Sequence, residues 1–290
     1  MIDLLASPIM QRALLGVLIT GLVAPSLGIY LVQRRMSLIG DGIGHIALTG
    51  VGLGLLTGTQ PVLTAVAVAI VGSIAVELVR ARGRTSGDMA LAILFYGGIS
   101  GGVFLVGLAP GKSNSNLMAY LFGSPLTTTS EDLIVMAVLG AVVLVVTLGL
   151  RPWLFAACQD EEFAKVSGLP VRFLNLLLAV MAAVTVTVAM RAVGLLLVSA
   201  LMVVPVAAAQ LLSRGFSATM VLSMLGGLLA GAGGFLLSVQ LDTGTGATVV
   251  LTAILLFVLV ALATSLWRRL RRPTAGAVNG DHAPEWVLEP

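Results

Sequence analysis

Nine stretches of about 20 largely apolar residues follow one another along the chain, at roughly 10–33, 41–58, 61–80, 88–108, 131–150, 172–190, 193–212, 217–238 and 246–267. That length is what an α-helix needs to cross the hydrocarbon core of a bilayer. Lipid offers no partner to a bare amide or carbonyl, so a spanning segment must satisfy its own backbone hydrogen bonds. The expected fold is therefore an all-α polytopic membrane protein. Pro61, Pro125, Pro152 and Pro170 mark breaks between stretches. The second stretch is short and glycine-rich, and the break at Arg191–Gly194 is soft, so eight or nine spans are expected. Composition agrees. Hydrophobic residues make up 58% of the 290 and charged residues only 10%, against about 25% charged in a soluble domain. That excludes a disordered chain, a nucleic-acid module and an ordinary cytosolic enzyme. The single cysteine, Cys158, permits neither an intramolecular disulfide nor a cysteine metal cluster. Met1 to Gln11 carries no basic segment ahead of the first apolar stretch, which reads as a retained span rather than a signal peptide.

The basic residues orient these spans. With nine crossings and the N-terminus outside, thirteen of the sixteen Lys and Arg residues fall on the cytoplasmic side, leaving Arg12, Lys112 and Arg191 outside. The polar tail at 273–290, with Asp281, His282 and Glu285, reads as a cytoplasmic, disordered extension.

Ionisable groups inside spans are costly and point to function. Glu77 and Asp88 sit at span ends facing Arg80, Arg82 and Arg84, which suits interfacial carboxylates beside arginines. Asp88 also follows Ser86, a candidate helix N-cap. Asp41 and His45 differ. Spaced four apart within the second span, they share one helix face. A carboxylate and an imidazole make half of a site for Zn²⁺ or Mn²⁺. Two copies across a two-fold axis would supply four ligands, so this reading requires a homodimer. The alternative is a structural Asp–His hydrogen bond near the cytoplasmic interface. Gly40, Gly42, Gly44, Gly50, Gly52 and Gly54 around the pair permit close helix approach, which suits a crowded pathway and simple packing equally. The polar interruption Gln159–Pro170 is expected to hold a short amphipathic helix from Asp160 to Val166 ending at Gly168. It is either a connector or a docking knob for a soluble partner.

Two patterns are set aside. Gly107–Ser113 has three residues between its glycines where a phosphate loop has four, and it lies on the outer side. The chain thus carries no ATPase motif of its own. Gly98-Ile-Ser100-Gly101 has the look of an intramembrane serine hydrolase motif, but that chemistry needs a histidine base, and His45 is the only histidine in a span. A secondary transporter driven by an ion gradient would show inverted repeats, and none is clear.

Four ordered segments then converge. Arg34-Arg35-Met36-Ser37 through Gly40-Asp41 and His45-Ile46-Ala47 resembles the signature of permeases from the metal-uptake ABC transporter family, the zinc, manganese and iron group. Leu117–Gly123 with Glu131-Asp132-Leu133, Met190–Gly194 through Pro205–Ala209, and Leu241-Asp242-Thr243 through Gly246 are similar to further segments of its zinc-uptake members. The resemblance covers about 10–267. It implies a type II ABC importer-like permease domain over 1–272 in a multi-pass protein of the bacterial cytoplasmic membrane. It implies a homodimer with two cytoplasmic ATPase subunits and an extracytoplasmic metal-binding protein, and no nucleic-acid partner. It implies that Asp41 and His45 line the path of a divalent metal, Zn²⁺ by its likeness to the zinc-uptake members, with Mn²⁺ or Fe²⁺ as the alternative. It implies a coupling helix at about 160–168 in which Glu161, Glu162, Ala164 and Gly168 serve the ATPase. The transported metal and the partner's ATP are then the only small molecules involved, and the chain itself is a transport subunit and no enzyme. Two features depart from the family: the longer tail, and Ser124-Pro125 where zinc-type members have Asp and Leu.

Overall fold

The computed structural model describes residues 7–81, 87–109, 120–123 and 128–270. The tail at 273–290, the arginines at 82 and 84, Ser86, Lys112, Ser124, Pro125 and the first residues of the 117–123 segment lie outside the described residues, as do the side chains of Asp88 and Arg191.

Among the described residues there are eleven helices and no strand. They are α1 Pro8–Gln33, α2 Ile39–Thr57, α3 Pro61–Ala81, α4 Gly87–Leu108, α5 Ser130–Gly149, α6 Arg151–Gln159, α7 Glu161–Val166, α8 Val171–Val193, α9 Leu195–Leu212, α10 Phe216–Leu241 and α11 Thr245–Leu270. Nine of these, all but α6 and α7, are long and apolar enough to span a membrane. The expectation of eight or nine resolves to the higher number. The glycine-rich second stretch forms a full 19-residue helix, and the soft break at Gly194 separates two spans.

Local chemistry sets the boundaries. Ser7 caps α1 by accepting from the Met10 amide, with Pro8 in the first turn, where a missing N–H costs nothing. Thr129 and Asp132 form a reciprocal capping box on α5. Pro152 does not end structure after the fifth span. It sits in the first turn of α6, a short helix the sequence reading did not anticipate. The turn from α1 into α2 is a Schellman motif: the Met36 amide donates to the Leu31 carbonyl and the Arg35 amide to that of Val32. Arg35 takes the left-handed conformation this requires. The chain therefore re-enters the bundle at once, and Asp41 falls in the first turn of α2.

The helices pack in order of burial. In α1 and α2, 72% of the most apolar window is buried within the chain, and in α11 only 11%, so α11 lies at the periphery. α2 is held by α4 on one side and α3 on another, with α8 and α9 behind it. α1 packs on α10, α9 and α5, and the buried Tyr30 hydroxyl donates to the Thr147 carbonyl of α5 at 2.6 Å. At the end of the bundle opposite α7, three separate segments meet. Gly123, Gly194 and Gly246 bring the backbone of Phe122–Gly123 against that of Val193–Gly194, with no room for a side chain on any of the three.

Candidate functional site

The polar groups gather at one end of the bundle, around the start of α2 and the short helix α7. Asp41 and His45 lie one turn apart on α2, with Asp41 Oδ1 3.6 Å from His45 Nε2. That separation is too long for a hydrogen bond. The structural Asp–His bond considered from sequence is thus not formed, and the buried His45 Nδ1 has no hydrogen-bond partner either. The imidazole side chain is 7% exposed and the carboxylate 26%, so the pair opens from the bundle through Asp41. The N-terminal end of α2 favours a carboxylate there through its unpaired amides. Phe95 of α4 meets the imidazole edge-on at 4.3 Å between ring centroids.

Close approach of α4 fixes the histidine from behind. A Cβ on Gly98 would stand 2.6 Å from the His45 carbonyl oxygen, and one on Gly101 would stand 2.9 Å from Thr49 Oγ1. The Thr49 hydroxyl donates to the Gly98 carbonyl at 2.8 Å. The glycines around Ser100 are therefore a packing face. Ser100 itself is exposed on α4, while His45 is buried against Phe95. Among the described residues, no group of three or more His, Cys, Asp or Glu side chains gathers, so one chain brings two candidate metal ligands together.

The polar interruption folds as expected into the short helix α7. Asp160 caps it, accepting from the Phe163 amide at 2.9 Å. A second Schellman motif ends it at Gly168, whose φ is 81°. The four residues to which the family resemblance gives a coupling role divide by position. Ala164 is 0% exposed and seats the helix on the bundle. Glu162 points outward. Glu161 turns back toward three cations: Lys165 at 3.3 Å, Arg80 at 3.7 Å and Arg34 at 3.9 Å. Arg80 is itself held by Glu77 at 2.6 Å and 3.0 Å, in keeping with an interfacial carboxylate beside arginine. One carboxylate thus ties α7 to the end of α3 and to the turn that leads into α2.

Burial, and then the charge of Arg80, pulls the Arg34 guanidinium below its ordinary value. Burial pushes the nearby Cys158 thiol up to about 11. Hydrogen bonds to Glu162 and then Glu161 raise Lys165.

Sequence reasoning missed the roles of Arg34 and Arg80 toward Glu161, because the partners are far apart in the chain. It also missed Phe163 and Val166, which are 68% and 89% exposed beside Glu162. Two apolar residues three apart in a polar segment were the available signal.

The family model described as the ABC 3 transport family matches residues 6–264. The manganese transport system membrane protein MntC of Halalkalibacterium halodurans is 29% identical over 285 residues, covering 96% of this chain and 97% of its own. The high-affinity zinc uptake system membrane protein ZnuB of Haemophilus influenzae is 31% identical over 265 residues, covering 91% and 98%. Among solved structures, PsaBC from Streptococcus pneumoniae in complex with Fab matches with a TM-score of 0.80 at 29% identity, covering 89% of this chain and 93% of that one.

Proposed function

Since the chain belongs to the ABC 3 transport family, we propose that it is the permease of an ATP-driven importer that carries a divalent metal ion inward, with Zn²⁺ as the preferred ion. It is a multi-pass protein of the bacterial cytoplasmic membrane. The observation that carries the metal reading is the unbonded Asp41–His45 pair, two donors 3.6 Å apart on one helix face. A homodimer would set two such pairs around one ion and complete four ligands of mixed nitrogen and oxygen type. That set suits Zn²⁺ and tolerates the harder Mn²⁺. Manganese is the second reading, favoured by the likeness to MntC. The ion must be held firmly enough to shed water and loosely enough to leave.

On this reading residues 1–272 form the permease domain and 273–290 a cytoplasmic tail. Two ATPase subunits dock on α7 from the cytoplasm, against Glu162, Phe163 and Val166, and an extracytoplasmic protein delivers the ion. ATP hydrolysis belongs to those partners. Nucleotide state moves α7, and Glu161 passes the displacement to Arg34, seven residues before Asp41. The two conformations are thereby biased by contacts that differ between them.

The test is uptake of radioactive zinc and manganese, side by side, into vesicles holding the whole reconstituted complex. Asp41→Ala and His45→Ala should each abolish uptake while the complex still assembles. Normal transport in both variants would make the pair structural.

A further inference from the structure

Three cavities run side by side across the end of the bundle that carries α7. The first, about 420 Å³, lies between α1, α6 and the start of α10, lined by Gln33, Gln159 and Arg214 among others. The second, about 870 Å³, shares Gln210, Ser213 and Arg214 with the first and reaches Trp267 and Arg268 on α11. The third, about 410 Å³, shares Thr264 and Arg268 with the second and ends at Arg269. Their linings hold three arginines and no carboxylate. Elsewhere at this end Arg34, Arg80 and Lys165 are paired with Glu77, Glu161 or Glu162, while Arg35, Arg151 and Arg172, without an ion pair among the described residues, line none of these cavities. Arg214, Arg268 and Arg269 make no ion pair among the described residues. The position is equally telling. The cavities open beside α11, the least buried span, whose exposed Leu259, Leu262, Leu266 and Trp267 lead from the membrane interior to the arginines.

We propose that this basic, amide- and hydroxyl-lined recess binds the phosphate headgroup of an anionic membrane phospholipid, with the acyl chains lying on the apolar face of α11. Basic recesses between spans on the cytoplasmic side suit such headgroups. Arginine pairs with phosphate oxygens through two parallel N–H donors. Gln210 and Ser213 offer donors to the remaining phosphate oxygens, and the Thr264 oxygen, whose own proton goes to the Val260 carbonyl, can accept from a glycerol hydroxyl. An indole at the end of a lipid-facing helix sits at headgroup depth. A soluble anion would have no use for the leucine face below the arginines, and that contiguity favours lipid.

The experiment is native mass spectrometry of the full-length chain, alone and within its assembled complex. Phosphatidylglycerol is titrated against phosphatidylcholine of the same acyl length. Phosphatidylglycerol should bind saturably and in preference, and the double variant Arg214→Gln/Arg268→Gln should lose affinity about fivefold for each arginine removed. Arg12→Gln, at the opposite end, should bind as the wild type. Should the double variant fold poorly, Arg214→Lys/Arg268→Lys keeps the charge and must retain the preference for phosphatidylglycerol. Equal binding of the two lipids, or unchanged binding by the glutamine variant, overturns the proposal. So does displacement of the lipid by inorganic phosphate, which would assign the recess to a soluble anion, or its loss on assembly, which would assign it to a partner subunit.

Discussion

Glu161 is the residue on which the described ion pairs converge, and its surroundings give it a role that charge counting misses. It faces Arg34, Arg80 and Lys165 within 3.9 Å, and Arg34 is almost wholly enclosed. Removing the carboxylate would leave like charges facing one another around a buried guanidinium, the costly way to break an ion pair. Glu161→Gln should therefore loosen α7 from α3 and from the α1–α2 turn without dismantling the spans. Metal uptake by the reconstituted complex should fall roughly tenfold, a size typical of lost coupling, while ATPase activity persists. Cys158 reports the same event. Its thiol is held up to about 11 by burial first, with Glu161 adding to the effect. Only the thiolate reacts, so alkylation of the wild type should be slow at pH 8 and keep rising until pH approaches 11 rather than levelling near 9. Removing Glu161 takes away a charge that opposes the thiolate, and alkylation at pH 8 should quicken. Uptake and alkylation both unchanged would show that Glu161 transmits nothing.

The elements owe their arrangement to close approaches that small residues permit. α2 and α4 touch through Gly98, Gly101 and Gly102, and His45 stands at the tightest point. Glycine at Gly98 is a packing requirement, because a Cβ there would overlap the His45 backbone at 2.5–2.6 Å. Gly97, its neighbour on α4, has nothing within 4 Å of a Cβ. Gly98→Ala should destabilise the protein by about 2 kcal/mol, as overpacking of a core does. It should also reduce uptake by displacing the imidazole. Gly97→Ala should match the wild type in thermal unfolding and in transport. Parity between the two variants would mean that α4 can slide, and that the site does not depend on it. The same economy explains a puzzle of the sequence. The segments ending at Gly123, Gly194 and Gly246 resemble family motifs yet hold few groups able to bind an ion. The structure brings their backbones together, with Gly194 at φ 87° where a side chain would be strained as well as blocked.

At the scale of the whole molecule, the spans were legible because lipid permits few alternatives, and nine apolar stretches became nine helices. The Asp41–His45 pair was legible because four-residue spacing on a helix is a geometric statement. The Glu161 cluster and the basic recess were not, since they join residues as far apart as Arg34 and Glu161 (127 positions) or Gln33 and Arg214 (181 positions), and no local pattern encodes such pairs. The charge distribution stands between these cases. It assigned the α7 end to the cytoplasm, and the structure gathers Arg34, Arg80, Lys165, Arg214 and Arg268 there through shared contacts and cavities. The assignment is directly testable because Cys158 is the sole cysteine. In a Cys158→Ser background, one new cysteine at a time can be placed at Thr243, exposed between α10 and α11, and at Ser217, exposed in the first turn of α10. These positions lie at opposite ends of the 26-residue helix α10, about 39 Å apart at 1.5 Å per residue. A membrane-impermeant maleimide added to intact cells should label Thr243→Cys and spare Ser217→Cys until the membrane is opened. The reverse pattern would turn the protein over, place α7 outside the cell, and remove any route by which an ATP-driven partner could act on it.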